Sequence, residues 1–187
     1  MKPGEKIRTL REEKKLSLSE VAKRIQLEEK QLSEIENGAF SPSLGVLIKL
    51  ARVLGVRLGT FLDDEVKQGA VITRNGEASL SSSFSSAAVT HKNNLSFFSL
   101  AREKADRHME PFLVEIKPDF PSNPLASSHE GEEFIFVMKG AVKIEYGKEE
   151  YVLKEGDSIY LDSIVDHQIF SANNENALLL AVVYQPV

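Results

Sequence analysis

The chain of 187 residues contains no cysteine. That excludes a disulfide scaffold, thiolate zinc sites and cysteine catalysis, and it fits a reducing, cytoplasmic setting. No apolar run approaches the ~20 residues that cross a bilayer, so no membrane partner is expected. The start, Met1-Lys2-Pro3-Gly4-Glu5, does not read as a signal peptide. A strong excess of basic charge is also missing, since the net charge is −5. That figure hides an asymmetry. Residues 1–66 carry 12 Lys/Arg against 11 Asp/Glu, whereas residues 67–187 carry 11 against 17. The whole-chain charge therefore says little about what either half binds.

What is present is ordinary globular material, 42% hydrophobic and 27% charged, which excludes disorder as the main state. The first 66 residues have helical spacing. Ile7, Leu10, Lys14 and Leu18 mark one face, followed by Val21, Ala22 and Ile25, then Leu32 and Ile35, then Leu44, Leu47, Ile48, Ala51 and Leu54. Ser17-Leu18-Ser19-Glu20 has the pattern of a capping box, Gly38 ends a helix, and Ser41-Pro42-Ser43 opens the next. Five short helices are expected.

Residues 67–187 change to short alternating or β-branched runs: 70–74, 87–91, 95–100, 112–117, 133–137, 142–146, 150–153, 158–161, 167–171 and 178–184. Turn signals separate them, the pattern of an antiparallel sandwich or barrel. Ser79–Ser86 holds six serines in eight residues. It reads as a flexible edge loop, with a phosphorylation cluster as the alternative. The expected division is residues 1–66, a connecting segment with edge strands over 67–107, and a β domain over 108–187.

The constellation Ser17-Leu18-Ser19-Glu20-Val21-Ala22, Leu32-Ser33-Glu34-Ile35-Glu36-Asn37-Gly38 and Pro42-Ser43-Leu44 resembles the helix-turn-helix of the phage-repressor/Cro-like (XRE-type) family, over about Ile7 to Phe61. The resemblance implies that a second helix, Glu28–Glu36, lies in the DNA major groove while the first crosses the backbone. Ser17 and Leu18 then sit at a phosphate, Glu29, Lys30, Gln31, Ser33 and Glu34 face the groove, and Asn37 grips the flanking phosphate. Lys30 suits guanine O6/N7, and either Glu29 or Glu34 suits cytosine N4. Arg11 and Glu36 occupy the positions of a partly buried ion pair in that family.

Two departures stand out. The turn between the helices has Gln26 where glycine is frequent. Glu28, Glu29 and Glu34 bring carboxylates toward phosphates, and the Ala39-Phe40-Ser41 loop lacks lysine, which implies weak non-specific binding with a shallow salt slope.

Ser127-Ser128-His129-Glu130-Gly131-Glu132-Glu133, Gly140, Gly156-Asp157 and His167 resemble the two motifs of the cupin family, over about Phe112–Tyr184. Cupins are small antiparallel β-barrels (double-stranded β-helices), so the expected fold class is multidomain α + β. His129, Glu133 and His167 match three metal-ligand positions, and Ser127 stands where the family has its first histidine. Two imidazoles and a carboxylate can hold Fe, Mn, Ni or Zn with positions left open. The alternative is a metal-free pocket in which these three hydrogen-bond an organic ligand. Strand alternation places Glu133, Ile135 and Val137 on one inward face, and Ser127, Ile135 and Ile169 are expected in the pocket wall. His91 and His108 fit neither motif and read as surface or edge residues.

The aromatic residues Phe97, Phe98, Phe112, Phe134, Phe136 and Phe170 exceed the need of one small interior. Some line an inter-subunit face or else close the sandwich within one chain. No base, nucleophile or second carboxylate has a spacing that names a reaction, so no catalytic residue is assigned.

Together these features imply a transcriptional regulator that binds a double-stranded DNA operator as a homodimer. Its cupin half would sense a small-molecule effector. The alternative is a metal-dependent cupin enzyme tethered by its helical domain.

Overall fold

The computed structural model describes residues 3–62, 69–78, 80–84, 95–104, 107–118 and 126–186. Its helical half contains α1 (Pro3–Glu13), α2 (Leu18–Ile25), α3 (Glu29–Glu36), α4 (Leu44–Val53) and α5 (Gly59–Leu62). Each start has a local cause. Proline at the first position of α1 loses no hydrogen bond there. At α2, the Ser17 hydroxyl accepts from the Glu20 amide at 3.1 Å, and the Glu20 carboxylate accepts from the Ser17 amide at 2.9 Å. At α4, Ser43 Oγ accepts from the Val46 amide. Glu28 stands outside α3 as its cap, one residue later than the sequence pattern suggests, and its amide donates to Gln31 Oε1 at 3.0 Å.

The apolar stripes converge as expected. Ile7, Val21, Ile25, Leu32, Ile35, Leu47, Leu50, Leu54, Leu58 and Phe61 are buried. Gly4 lets α1 lie directly on the end of α3, because a Cβ there would run into the Ile35 carbonyl oxygen. The tight α2–α3 turn is made by Gln26 in the left-handed conformation, φ 60° and ψ 43°.

The β half consists of β1 (Leu80–Phe84), β2 (Leu95–Ser99), β3 (Met109–Ile116), β4 (Glu132–Lys139), β5 (Ala141–Tyr146), β6 (Glu149–Lys154), β7 (Ser158–Asp162), β8 (His167–Ser171) and β9 (Ala177–Tyr184). They form an antiparallel six-stranded sheet, β1-β2-β3-β9-β4-β7, and a three-stranded sheet, β6-β5-β8. Inward residues alternate with outward ones along β3, β4 and β9. Phe112, Val114, Ile116, Ile135, Val137, Val142, Ile144, Leu179 and Val183 thereby fill the core between the sheets.

Two expectations need correction. Leu80–Phe84, inside the serine run read as a loop, is an edge strand that pairs with β2 through Leu80–Phe98, Ser82–Phe97, Ser83–Ser96 and Phe84–Leu95. Backbone pairing to a neighbour distant in sequence overrides weak strand propensity at an edge. Residues 70–74 are not a strand. Thr73 instead donates its hydroxyl to the Leu100 carbonyl at 2.8 Å. The run 87–91, including His91, lies outside the described residues.

The aromatic residues divide by face. Phe97, Phe112 and Phe170 are buried, with Phe97 and Phe112 meeting edge-to-face at 5.6 Å. Phe134 and Phe136 point out of the six-stranded sheet and remain exposed, beside Met138, Tyr160 and Tyr184. These two therefore do not close the sandwich within the chain.

The two halves meet along α4 and just beyond it. Gly45 of α4 abuts Ser127, Arg52 pairs with Glu130, and Arg57 Nη1 donates to the Arg107 carbonyl at 3.3 Å.

The left-handed residue at 26 costs ~1–2 kcal/mol in any side chain but glycine. Glycine also loosens the unfolded chain, which offsets about half of that gain. Gln26→Gly is expected to raise the unfolding free energy by ~0.5–1 kcal/mol in urea titration; a destabilised variant would mean that the Gln26 side chain itself holds the turn.

Candidate functional site

The outward face of α3 carries Glu29 and Lys30, both exposed, and Ser33 and Glu34, both half-buried. Lys30 and Glu34 are 4.0 Å apart, one turn from each other, so the lysine offsets one of the three acids. Gln31 is occupied as the cap partner of Glu28. Asn37 is exposed at the end of α3, with Nδ2 3.4 Å from Ser33 Oγ. Ser17 lies at the exposed start of α2, while the Leu18 side chain packs against the helical core. The capping box occupies the Ser17 and Glu20 amides, which leaves those of Leu18 and Ser19 in this first turn to meet a phosphate.

The face is held by the pair that the family resemblance implies. Arg11 Nε and Nη2 donate to the two oxygens of Glu36 at 2.6 and 2.8 Å, and Nη1 donates to the Leu16 carbonyl at 3.1 Å. The hydrogen bond to Glu36, opposed by burial, holds the guanidinium even more firmly protonated than usual. A two-pronged pair locks α1 to α3 in one orientation, which fixes geometry more than it adds net stability.

In the barrel, His129 precedes β4, Glu133 is its second residue, and His167 opens β8. Their ligand atoms lie within 4.8 Å of one another, and all three residues are buried. Backbone ladders set this arrangement. Ser127 exchanges both hydrogen bonds with His167 at 2.8 and 2.9 Å, and the His129 amide donates to the Ser163 carbonyl at 2.9 Å. His129 Nδ1 is 3.1 Å from the Glu130 carbonyl and His167 Nδ1 is 2.8 Å from the Val165 carbonyl.

A carbonyl oxygen only accepts, so each Nδ1 carries its hydrogen. Both Nε2 atoms then face the same carboxylate oxygen, Glu133 Oε1, at 2.7 and 3.5 Å. Two lone pairs aimed at an anion are unstable without a cation between them, which is either a proton or a metal ion. The donor set therefore fits a divalent metal, with both imidazoles already oriented by backbone carbonyls.

Burial works to raise the Glu133 carboxyl. Hydrogen bonds from His129 and His167, with their charge, overcome it and bring the group to about 2. Burial likewise works to lower His167, but the bond and charge of Glu133 and the Val165 carbonyl outweigh it and raise the imidazole above its usual 6.5.

Beside this cluster is a cavity of about 440 Å³, walled by Phe97, Val114, Ile116, Ile169, Leu179 and Val183, with Ser127, Glu133 and His167 at its polar end. Ser127 and Ile169 are thus where the sequence places them. Ile135 is not. It is fully buried in the core, two residues beyond Glu133 on β4, and does not wall the cavity. His108 is exposed, as expected.

Several features went unread in the sequence. Arg107 and Glu110 form a buried ion pair of 2.7 Å, although charged residues three apart normally read as solvated. Gly45 and Lys49 of α4 reach the barrel cavity, and Gln168 Oε1 is buried with no partner among the described residues. No local pattern marks what covers a charged pair or which distant segment a helix meets.

The signs of these shifts determine a pH response. The Glu133 contribution to stability is present above the ordinary carboxyl range, near 4.5, and is lost as pH falls toward about 2. The His167 contribution is complete below 6.5 and is lost as pH rises through its raised value. Chelated protein should therefore melt at a falling temperature as pH rises above neutrality. Saturating Mn(II) or Fe(II) should remove that fall, because metal replaces the proton. Calorimetry of wild type and Glu133→Gln checks this; a decline that persists unchanged in Glu133→Gln would show that the cluster is not its source.

Comparison with known proteins agrees with this architecture. A helix-turn-helix family model matches residues 7–61, and a cupin-domain model matches residues 112–183. The chain is 23% identical over 184 residues to the HTH-type transcriptional regulator PuuR of Escherichia coli, covering 97% of this chain and 92% of that protein. It is 24% identical over 160 residues to (S)-2-hydroxypropylphosphonic acid epoxidase of Streptomyces wedmorensis, covering 79% and 77% respectively. The fold matches the crystal structure of an HTH_3 family transcriptional regulator from Vibrio cholerae with a TM-score of 0.71 at 22% identity, over 98% of this chain and 95% of that one. Among the described residues no helix is long and apolar enough to cross a membrane. The chain is a helix-turn-helix domain followed by a cupin domain.

Proposed function

We propose that this protein is a cytoplasmic DNA-binding transcriptional regulator, with α3 as its reader and the cupin as its dimerisation and effector-sensing half. The observation that carries this reading is the exposed face of α3, held rigid by Arg11–Glu36 and joined to a barrel with an inner cavity. Ser17, Leu18 and Asn37 position the duplex backbone. Glu29, Lys30 and Glu34 read base edges, with Ser33 between them.

One such domain covers few base pairs, so affinity comes from two readers on half-sites about one helical turn apart. The face that supports dimerisation is the outer side of the six-stranded sheet. Phe134 lies across from Tyr160 and Val182, and Phe136 lies across from Leu180. An uncovered apolar face of this kind suits a second copy of the chain.

His129, Glu133 and His167 would hold a divalent metal, which would supply a Lewis-acid anchor for an oxygen-bearing effector. The protein's own part is to orient both imidazoles through Glu130 and Val165 and to exclude water with the apolar wall.

A second reading, a metal-dependent enzyme, is favoured by two observations. The three-residue donor set would leave positions free on a bound metal, and the epoxidase relative aligns with this chain over most of both lengths. Stoichiometric iron with oxygen-dependent turnover would support the enzyme; a specific operator footprint without turnover supports the regulator.

Two outcomes are expected. After selection of a bound DNA sequence, Lys30→Ala should cost ~1–3 kcal/mol and relax preference at one base pair, whereas Asn37→Ala should weaken all sequences equally. Footprinting and binding titrations check this, and the reverse pattern would exchange the two roles. Phe136→Asp should give a folded monomer by sedimentation, with circular dichroism unchanged; a dimer that survives it would place the interface elsewhere.

A further inference from the structure

The cavity in the barrel is not closed by the barrel. Part of its wall comes from the helical domain of the same chain: Leu27 after the α2–α3 turn, then Leu44, Gly45, Val46 and Lys49 of α4. The approach is close. A Cβ at Gly45 would stand 2.5 Å from Ser127 Oγ and 3.8 Å from the Cδ2 atom of the His129 ring, so α4 rests on the donor cluster itself.

Charge differs between roof and floor. The floor contributes Glu133, Asp166, His167 and the amide of Gln168, whose Oε1 is buried and unpartnered. The roof contributes one charged group, Lys49, which is half-buried and has no ion pair among the described residues. Hydrophobic side chains from both domains complete the wall.

We infer that the DNA-binding domain is the lid of the effector chamber. The structure assigns to that chamber a small molecule with an apolar body and an anionic head, the head held at Lys49. The effector then touches the reader domain directly, at the turn that leads into α3 and at the helix that follows it. This rests on the sensing role proposed above and names its ligand class and route. A volume of about 440 Å³ suits a molecule of one or two rings.

The test uses the full chain and two dyes of similar body, anilinonaphthalene sulfonate with an anionic head and neutral N-phenylnaphthylamine. The sulfonate dye should bind one saturable site about tenfold more tightly than the neutral dye, as expected for one charge-assisted contact. Lys49→Ala should abolish that difference, and Lys148→Ala, at an exposed turn away from the cavity, should leave it unchanged.

A second variant tests the lid without a ligand. The Cβ positions at 45 and 127 are 3.7 Å apart, within the range that a disulfide spans, and the chain has no other cysteine. The pair Gly45→Cys, Ser127→Cys should therefore close within one chain on oxidation, leaving no free thiol.

Dye binding that ignores Lys49→Ala, together with cysteines that stay reduced, overturns the lid and leaves a sensor built from the barrel alone. Paired cysteines with equal affinity for both dyes overturn the anionic head. Absence of any saturable site overturns the lid and the sensing role together.

Discussion

At residue 45 a hydrogen stands where any other residue would carry a carbon, and the distance between the two domains depends on it. The backbone of α4 comes down on Ser127, and Ser127 is the small residue that occupies the first histidine position of the cupin motif. An imidazole at 127 would need the volume that α4 fills. The incomplete ligand set and the close approach of the helical domain are thus one constraint. The barrel gives up one donor where the reader domain settles.

The remaining donors still form a site because backbone geometry, not the metal, organises them. Ser127 and His167 are bridged strand to strand, and His129 is tied to Ser163. The two Nδ1–H groups are committed to carbonyl oxygens, so both Nε2 atoms must turn toward Glu133. That carboxylate is buried yet stays ionised, because its two neighbours favour the charged form more than burial opposes it. A cluster of this kind could hold a metal ion in the place of a proton shared between its imidazoles and Glu133.

Much of this was legible in the sequence, and the reasons are specific. The Ser17–Glu20 box and the Gly38 stop are local patterns with local causes, so they appear in the structure as read. Arg11–Glu36 and His129–Glu133–His167 were legible through family motifs and not through spacing alone. The strand β1 was hidden because its partner β2 supplies the ladder, while its own composition of serines signals a loop. The Arg107–Glu110 pair was hidden because burial of a charge depends on what lies above it. Lys49 and Gly45 look like ordinary helix residues until the barrel is placed beneath them. Ile135 was misassigned because alternation along β4 gives the face correctly but not the depth at which the cavity ends.

The contact between domains bears directly on the proposed regulation. Arg52–Glu130 is an exposed pair, worth ~0–1 kcal/mol at most. Arg57 hydrogen-bonds the Arg107 carbonyl, and Gly45 adds van der Waals contact. Under the proposed function, an effector acts by selecting among orientations of the reader relative to the barrel, only some of which fit both half-sites of one duplex. A molecule that fills the shared cavity gains contacts only when α4 lies over it, so its affinity differs between orientations. That difference is the sole source from which a ligand can shift a conformational equilibrium. A shift from a minor to a dominant orientation needs ~5.5 kcal/mol of it. Apolar contact with Leu27, Leu44 and Val46, plus one charge contact at Lys49, is of that order at ~25 cal/mol per Å² of buried apolar surface. Because the contacts are made by the reader domain itself, the response needs no relay through the barrel or across the dimer.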